Sequence, residues 1–145
     1  MIAEEIGSPI KTLNVVKEVQ IAAPAEVVFQ TLLEPHGPMK EMNMKLEAWV
    51  GGRWFRDLGN GTGHLWGHVQ VIKPPKLLEL VGPTMMSYPA ISHIQYRLTE
   101  QAGGTLLKFT HRAIGLIEPG LQDDVSGGWG KMLEMIRTAA EKKRG

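Results

Sequence analysis

Along residues 12–21, "TLNVVKEVQI", apolar and polar side chains roughly alternate and several are β-branched, the period of a half-buried strand. The next stretch, "APAEVVFQTLL", changes to helical spacing. Val27, Val28, Thr31 and Leu32 share a face, Pro24 fits the first turn, and "EPHGP" ends the segment. "EPHGPMKEMNM" is too punctuated for a long element and reads as loop with one helical turn at most. From Lys45 the period returns to two through "KLEAWV", "GGRWF", "GTGHLWGHVQVIK" and "LLELVG", each bounded by Gly, Asn or Pro, which predicts four antiparallel strands. "AISHIQYRLTE" and "GTLLKFTHRA" add two more, joined by "QAGG" as a hairpin loop. Pairing Leu98 with Leu107 sets Tyr96 beside Phe109 and Ile94 beside His111 on one face. His93, Gln95, Arg97, Lys108 and Thr110 fall on the other, so one side of the sheet is wet and the other covered.

The cover is the final segment, where Val125, Trp129, Met132, Leu133, Ile136, Ala139 and Ala140 form a stripe of period 3.6 with Lys131, Glu134, Arg137, Thr138 and Glu141 opposite. Asp123 and Asp124 before it and Lys142, Lys143 and Arg144 at its end complement the helix dipole. Within "SGGWGKMLEMI" this helix carries Gly127, Gly128 and Gly130, although each interior glycine costs about 1 kcal/mol relative to alanine. Two explanations are open: the helix passes close to strand backbones beside a void at Trp129, or it starts near Trp129 with the first two glycines in a loop. Strand, short helix, six strands and long helix give an α+β domain with helices on one face of a curved antiparallel sheet.

Length and charge narrow the role. The 145 residues suit a single domain, read as an extension over 1–11 and a folded core over 12–143. Sixteen Lys and Arg against fifteen Asp and Glu are spread evenly, which argues against a nucleic-acid partner, and the basic run in "EKKRG" reads as a solvated helix end. There is no cysteine, which excludes disulfides, thiolate metal sites and cysteine nucleophiles. No apolar stretch approaches the roughly 20 residues of a membrane span, and the N-terminus lacks the pattern of a leader, so a soluble cytoplasmic protein is expected.

At this point several motifs, in order, resemble a known family. "VQIAAPAEVVFQTLL" resembles the opening strand and helix of the START-like, Bet v 1-like superfamily, and "VQVIKPPKLLELV" its paired strands with a Pro-Pro turn. "GTLLKFTHRAIG" followed by "GGWGKMLEMI" is similar to the closing strand and helix of the branch named after the C-terminal domain of the activator of the Hsp90 ATPase. The resemblance covers residues 12–143. It implies a helix-grip fold, a seven-stranded sheet wrapped around a long C-terminal helix, with an apolar cavity for a lipid, polyketide or other hydrophobic small molecule between them. The loop "EPHGPMKEMNM" lacks the tryptophan common in this branch. The chain also has no room for the separate chaperone-binding domain of the eukaryotic activators, which argues against a chaperone partner.

On these grounds the expected ligand-binding face is Trp54, Arg56, Val69, Val71, Tyr96, Leu107, Phe109, His111, Trp129, Met132 and Leu133, with binding of a small hydrophobic molecule as the function. Met39, Met42, Met44, Met85, Met86, Met132 and Met135 converge on one cavity or fill an irregular core, methionine being suited to both. By the resemblance Trp54, Arg56 and Leu58 point inward from one strand. Arg56 then needs an anionic or carbonyl partner, either a ligand or Glu47, Asp57 or Glu79. His111 either serves a ligand as donor or general acid/base, or sits in the core on a backbone carbonyl. A cyclase or dehydratase using Arg56 and His111 is one alternative function and a chaperone ATPase co-factor another. His64 and His68 do not make a metal pair, because four residues along a strand separate them by about 13 Å, and with Trp66 and Gln70 they are expected on the outer face. No cofactor or metal is implied, and a homodimer stays open.

Overall fold

The computed structural model describes residues 9–87 and 89–144; residues 1–8 of the expected extension and the side chain of Arg144 lie outside that description. The period-two runs become β1 (Lys11–Ile21), β2 (Met44–Leu46), β3 (Arg53–Gly59), β4 (Thr62–Lys73), β5 (Leu77–Gly82), β6 (Ala90–Gln101) and β7 (Gly104–Gly115). They form one antiparallel sheet in the order β1-β7-β6-β5-β4-β3-β2, so the first strand closes against the last and β1 and β2 are the edges. Two short helices, α1 (Ala25–Leu32) and α2 (Pro38–Glu41), join β1 to β2. The long α3 (Leu121–Arg144) follows β7 and packs along β1 and α1. This is the α+β helix-grip architecture, a curved sheet around a C-terminal helix. Among the described residues no helix is long and apolar enough to cross a membrane.

Alternation sets the register of the central hairpin. Leu98 lies opposite Leu107, Tyr96 opposite Phe109 and Ile94 opposite His111. Ala102 and Gly103 make the turn, with Gly103 at φ +83, a backbone conformation glycine adopts without a steric penalty. Inward residues of β6 and β7 are buried, and Leu107 and Phe109 are fully so.

β4 departs from simple alternation. Trp54 pairs with Gly67 but Phe55 with Leu65, which makes Trp66 an extra residue; Val69 pairs with Leu80 but Val71 with Glu79, which makes Gln70 another. Each inserted residue reverses which face the neighbours occupy. Trp66 is therefore buried on the inner face, edge-on to Trp54 with ring centroids 5.2 Å apart, and does not join His68 and Gln70 outside. Val71, expected inward, lies beside Glu79 on the outer face, and Ile72 packs on the core in its place. Leu58 is the unpaired residue of a further irregularity between Asp57 and Gly59 and is exposed, not inward. Just beyond the first bulge the β4 and β5 backbones nearly touch: a Cβ on Gly82 would collide with the Cα of Gly67, and the Thr84 N–H donates to the Trp66 carbonyl at 2.7 Å.

Pro24 stands at the N-cap of α1 with extended backbone, one position before the expected first turn. The helix buries Ala25, Val28, Phe29, Thr31 and Leu32, so Phe29 takes the core position expected for Val27.

The stripe expected on α3 is buried at Val125, Trp129, Met132, Leu133, Ile136 and Ala140, with Ala139 half-buried. Side chains pin this helix to the edge strand at both ends. Gln122 Oε1 accepts from the Asn14 N–H at 2.9 Å while its Nε2 donates to the Asn14 carbonyl, and Glu141 Oε2 accepts from the Ala22 N–H at 2.9 Å. Lys143 adds an ion pair to Glu34 at 2.6 Å.

All three glycines lie inside α3, which excludes the loop explanation. The close-approach explanation fails as well: a Cβ on Gly127 or Gly128 meets nothing within 4 Å, and one on Gly130 meets only the end of Lys17 at 3.7 Å. These positions forgo helix propensity without a packing gain. Gly127→Ala is accordingly expected to raise the unfolding free energy by about 1 kcal/mol. Chemical denaturation checks this as a higher midpoint at unchanged slope, and a lower midpoint would contradict a formed helix there.

Candidate functional site

The inner face closes around Phe109. Its ring lies 4.4 Å from Trp129 and 5.1 Å from Tyr96, centroid to centroid, and Trp129 meets His111 edge-on at 5.9 Å. Trp54, Val69, Tyr96, Leu107, Phe109, Trp129, Met132 and Leu133 all contribute to this core, and Val71 does not. Burial pushes the Tyr96 hydroxyl well above its usual value. The space left under Trp54, Leu78, Leu80 and Tyr96 is a narrow void of about 40 Å³, room for a few waters at most, whose mouth reaches the surface past Glu34, Pro35, His36 and Lys45. Tilted and edge-on aromatic rings thus fill most of the space in which the resemblance implies an apolar cavity.

A second concavity of about 300 Å³ opens on the surface between α2, the loop after β5 and the first half of α3. Its walls are Pro38, Met39, Met42, Trp66, Met85, Leu121, Val125, Gly128, Trp129 and Met132, with Asp124 as the one charged lining residue. Met39, Trp129 and Met132 also line the void, so groove and void share these three side chains as a wall. Of the methionines singled out by sequence, Met39, Met42, Met85 and Met132 converge on the groove and Met44 lines the void. Met86 is buried in the core and Met135 is exposed.

His111 is 1% exposed and has both ring nitrogens occupied by the protein. The Trp129 indole N–H donates to Nδ1 at 2.9 Å, which leaves the proton on Nε2, 2.8 Å from Ser92 Oγ. The partners are two side chains, where a backbone carbonyl was expected. Burial pushes its pKa down to about 4. Ser92 is a site residue beyond those expected, although alternation from Ile94 already places it on the His111 face.

Arg56 lies opposite Met44 and shares the inner face with Trp54. Its three expected protein partners are engaged elsewhere. Glu47 accepts from Arg53 at 2.8 Å, and those hydrogen bonds hold its pKa at about 2. Asp57 accepts from Lys45 at 2.8 Å. Burial pushes the Glu79 carboxyl up, but hydrogen bonds from Gln95, His93 and Gln70 outweigh that and hold it below the ordinary range. Among the described residues, Arg56 Nε is buried with no hydrogen-bond partner.

A model of the family described as "Activator of Hsp90 ATPase homolog 1-like protein" matches residues 22–141. No curated protein sequence matches the chain. Among solved structures, a Rhizobium leguminosarum protein is similar at 19% identity and a TM-score of 0.73, covering 92% of this chain and 97% of that one. A Mesorhizobium loti protein, MLL2253, is similar at 24% identity and 0.67, covering 89% and 97%. The Aha1 dimer of Colwellia psychrerythraea, solved in solution, is similar at 20% identity and 0.67, covering 92% and 99%. At these identities the likeness shows the fold alone.

Proposed function

We propose, for a chain that belongs to the activator of Hsp90 ATPase homolog 1-like family, that it binds a small hydrophobic molecule, which enters through the groove between α2, the β5–β6 loop and α3. The observation that carries this reading is that Met39, Trp129 and Met132 line both an open apolar groove and the void beneath Trp54 and Tyr96. Methionine side chains change rotamer easily, and the half of α3 that borders the groove holds the three glycines, so this wall is the part of the core that yields at least energy. A guest that displaces the methionines joins groove and void and lies against Trp54, Tyr96, Trp129 and Met132. The groove alone is at the lower end of small-molecule sites. Acid–base chemistry of the cyclase or dehydratase type, with Arg56 and His111, would first require Trp129 to release His111 Nδ1, so the reading stops at binding.

Titration of intrinsic tryptophan fluorescence with decan-1-ol tests it, because Trp54, Trp66 and Trp129 line the groove or the void. A saturable change is expected, together with slower amide exchange over the first half of α3. Met39→Glu should weaken binding about tenfold or more, by setting a carboxylate in the path of the chain. No saturable response to decan-1-ol or to neutral aromatic probes would overturn the reading.

A further inference from the structure

We infer that the bound molecule is an amphiphile ending in a carboxylate, and that Arg56 receives that end. This rests on the hydrophobic-ligand reading above and adds the chemistry of the head group. The starting point is a guanidinium whose Nε is buried without a hydrogen-bond partner among the described residues. A buried donor atom left unpaired is unfavourable, and the three carboxylates expected to pair with it are committed: Glu47 to Arg53, Asp57 to Lys45 and Glu79 to its three amide and imidazole donors. Among the described residues the protein gives Arg56 Nε no acceptor, and a ligand can supply one.

Arg56 lines neither the groove nor the void, but its strand register sets it next to residues that do. On one side its cross-strand neighbour is Met44, a void-lining residue two positions beyond Met42, which lines the groove. On the other side is β4, whose bulge turns Trp66 inward between the rungs Trp54–Gly67 and Phe55–Leu65. Trp66 is a wall of the groove, and Arg56, two residues past Trp54 on the same face, is the next inward side chain beyond it. An apolar chain lying along Met39, Met42 and Trp66 would carry its end toward this guanidinium. At about 30 Å³ per water-sized unit the groove holds roughly ten such units, the bulk of a medium-length hydrocarbon chain. One guanidinium, offering Nε–H and Nη–H as a fork, matches the two oxygens and single charge of a carboxylate.

The test compares decanoate with decan-1-ol, two probes with the same chain and different ends, at pH 8 by tryptophan fluorescence and calorimetry. Wild type is expected to bind decanoate about tenfold or more tightly than the alcohol, the range of a charge-assisted hydrogen bond. Arg56→Met should bring that ratio to near one, chiefly by weakening decanoate. The ligand-free variant should also melt at least about 2 °C higher, since it removes an unpaired buried donor, whereas an arginine serving the fold would lower the melting temperature. Equal affinities in wild type, or a preference that survives Arg56→Met, would overturn the carboxylate inference and leave hydrophobic binding standing. Binding of neither probe would overturn both. Should Arg56→Met fail to fold, the wild-type ratio decides alone, with Arg56→Lys expected to fall between wild type and one.

Discussion

Phe109→Ala is expected to lower the unfolding free energy by about 3–5 kcal/mol, the range for removing a phenyl ring from a packed core. Phe109 is fully buried on a central strand, and its ring is sandwiched between Tyr96 from the neighbouring strand and Trp129 from α3. It is a central contact between sheet and helix, so truncation removes burial from both and leaves a cavity. Urea unfolding followed by circular dichroism measures the loss. A loss below about 1 kcal/mol would mean that the core is centred elsewhere. Because the hole adjoins Trp129, one wall of the 40 Å³ void, the variant is also expected to accept decan-1-ol at least as tightly as wild type once both are compared in the folded state.

The second large effect is on the pH dependence of stability. His111 is held at about 4 in the folded protein against about 6.5 in the unfolded chain. Burial disfavours the charged form, and Nδ1 has no room for a proton while it accepts from Trp129. Between these two values the unfolded state binds the proton and the folded state does not, so stability rises with pH there. The contribution of His111 is fully present above about pH 6.5, falls with the slope of one proton as the pH drops, and is lost by about pH 4. The total is on the order of 3 kcal/mol. Nuclear magnetic resonance of the imidazole should show it neutral at pH 5. Unfolding measured at several pH values should show the one-proton slope in wild type and lose it in His111→Gln. A His111 that titrates near 6.5 in the folded protein would sink the account.

What the sequence made legible follows from how far each signal extends. The β6–β7 register and the α3 stripe each repeat over several turns or rungs, so burial had only one consistent solution, and Tyr96, Phe109 and His111 fell where alternation put them. Trp66 and Val71 were misplaced because a bulge is a one-residue event that leaves hydrophobicity unchanged while reversing the faces. The groove was illegible for a different reason: its walls come from residues 38–42, Trp66, Met85 and 121–132, segments that only the closed fold brings together. The run of methionines was its trace in the sequence, with nothing to tell groove from core. Arg56 was visible as an inward charge, but the engagement of Glu47, Asp57 and Glu79 is a matter of hydrogen-bond geometry that spacing does not encode.

The clasp of Gln122 on Asn14 has a consequence for behaviour in crowded solution. β1 is an eleven-residue edge strand, and a bare edge of that length would invite another chain to add a strand to the sheet. One glutamine occupies both the donor and the acceptor of the outward-facing peptide at Asn14, and Glu141 takes the outward donor at Ala22. A newcomer is left the seven residues from Val15 to Ile21, with Lys17 and Glu18 among them, so the helix that completes the core also narrows the edge open to cross-chain pairing.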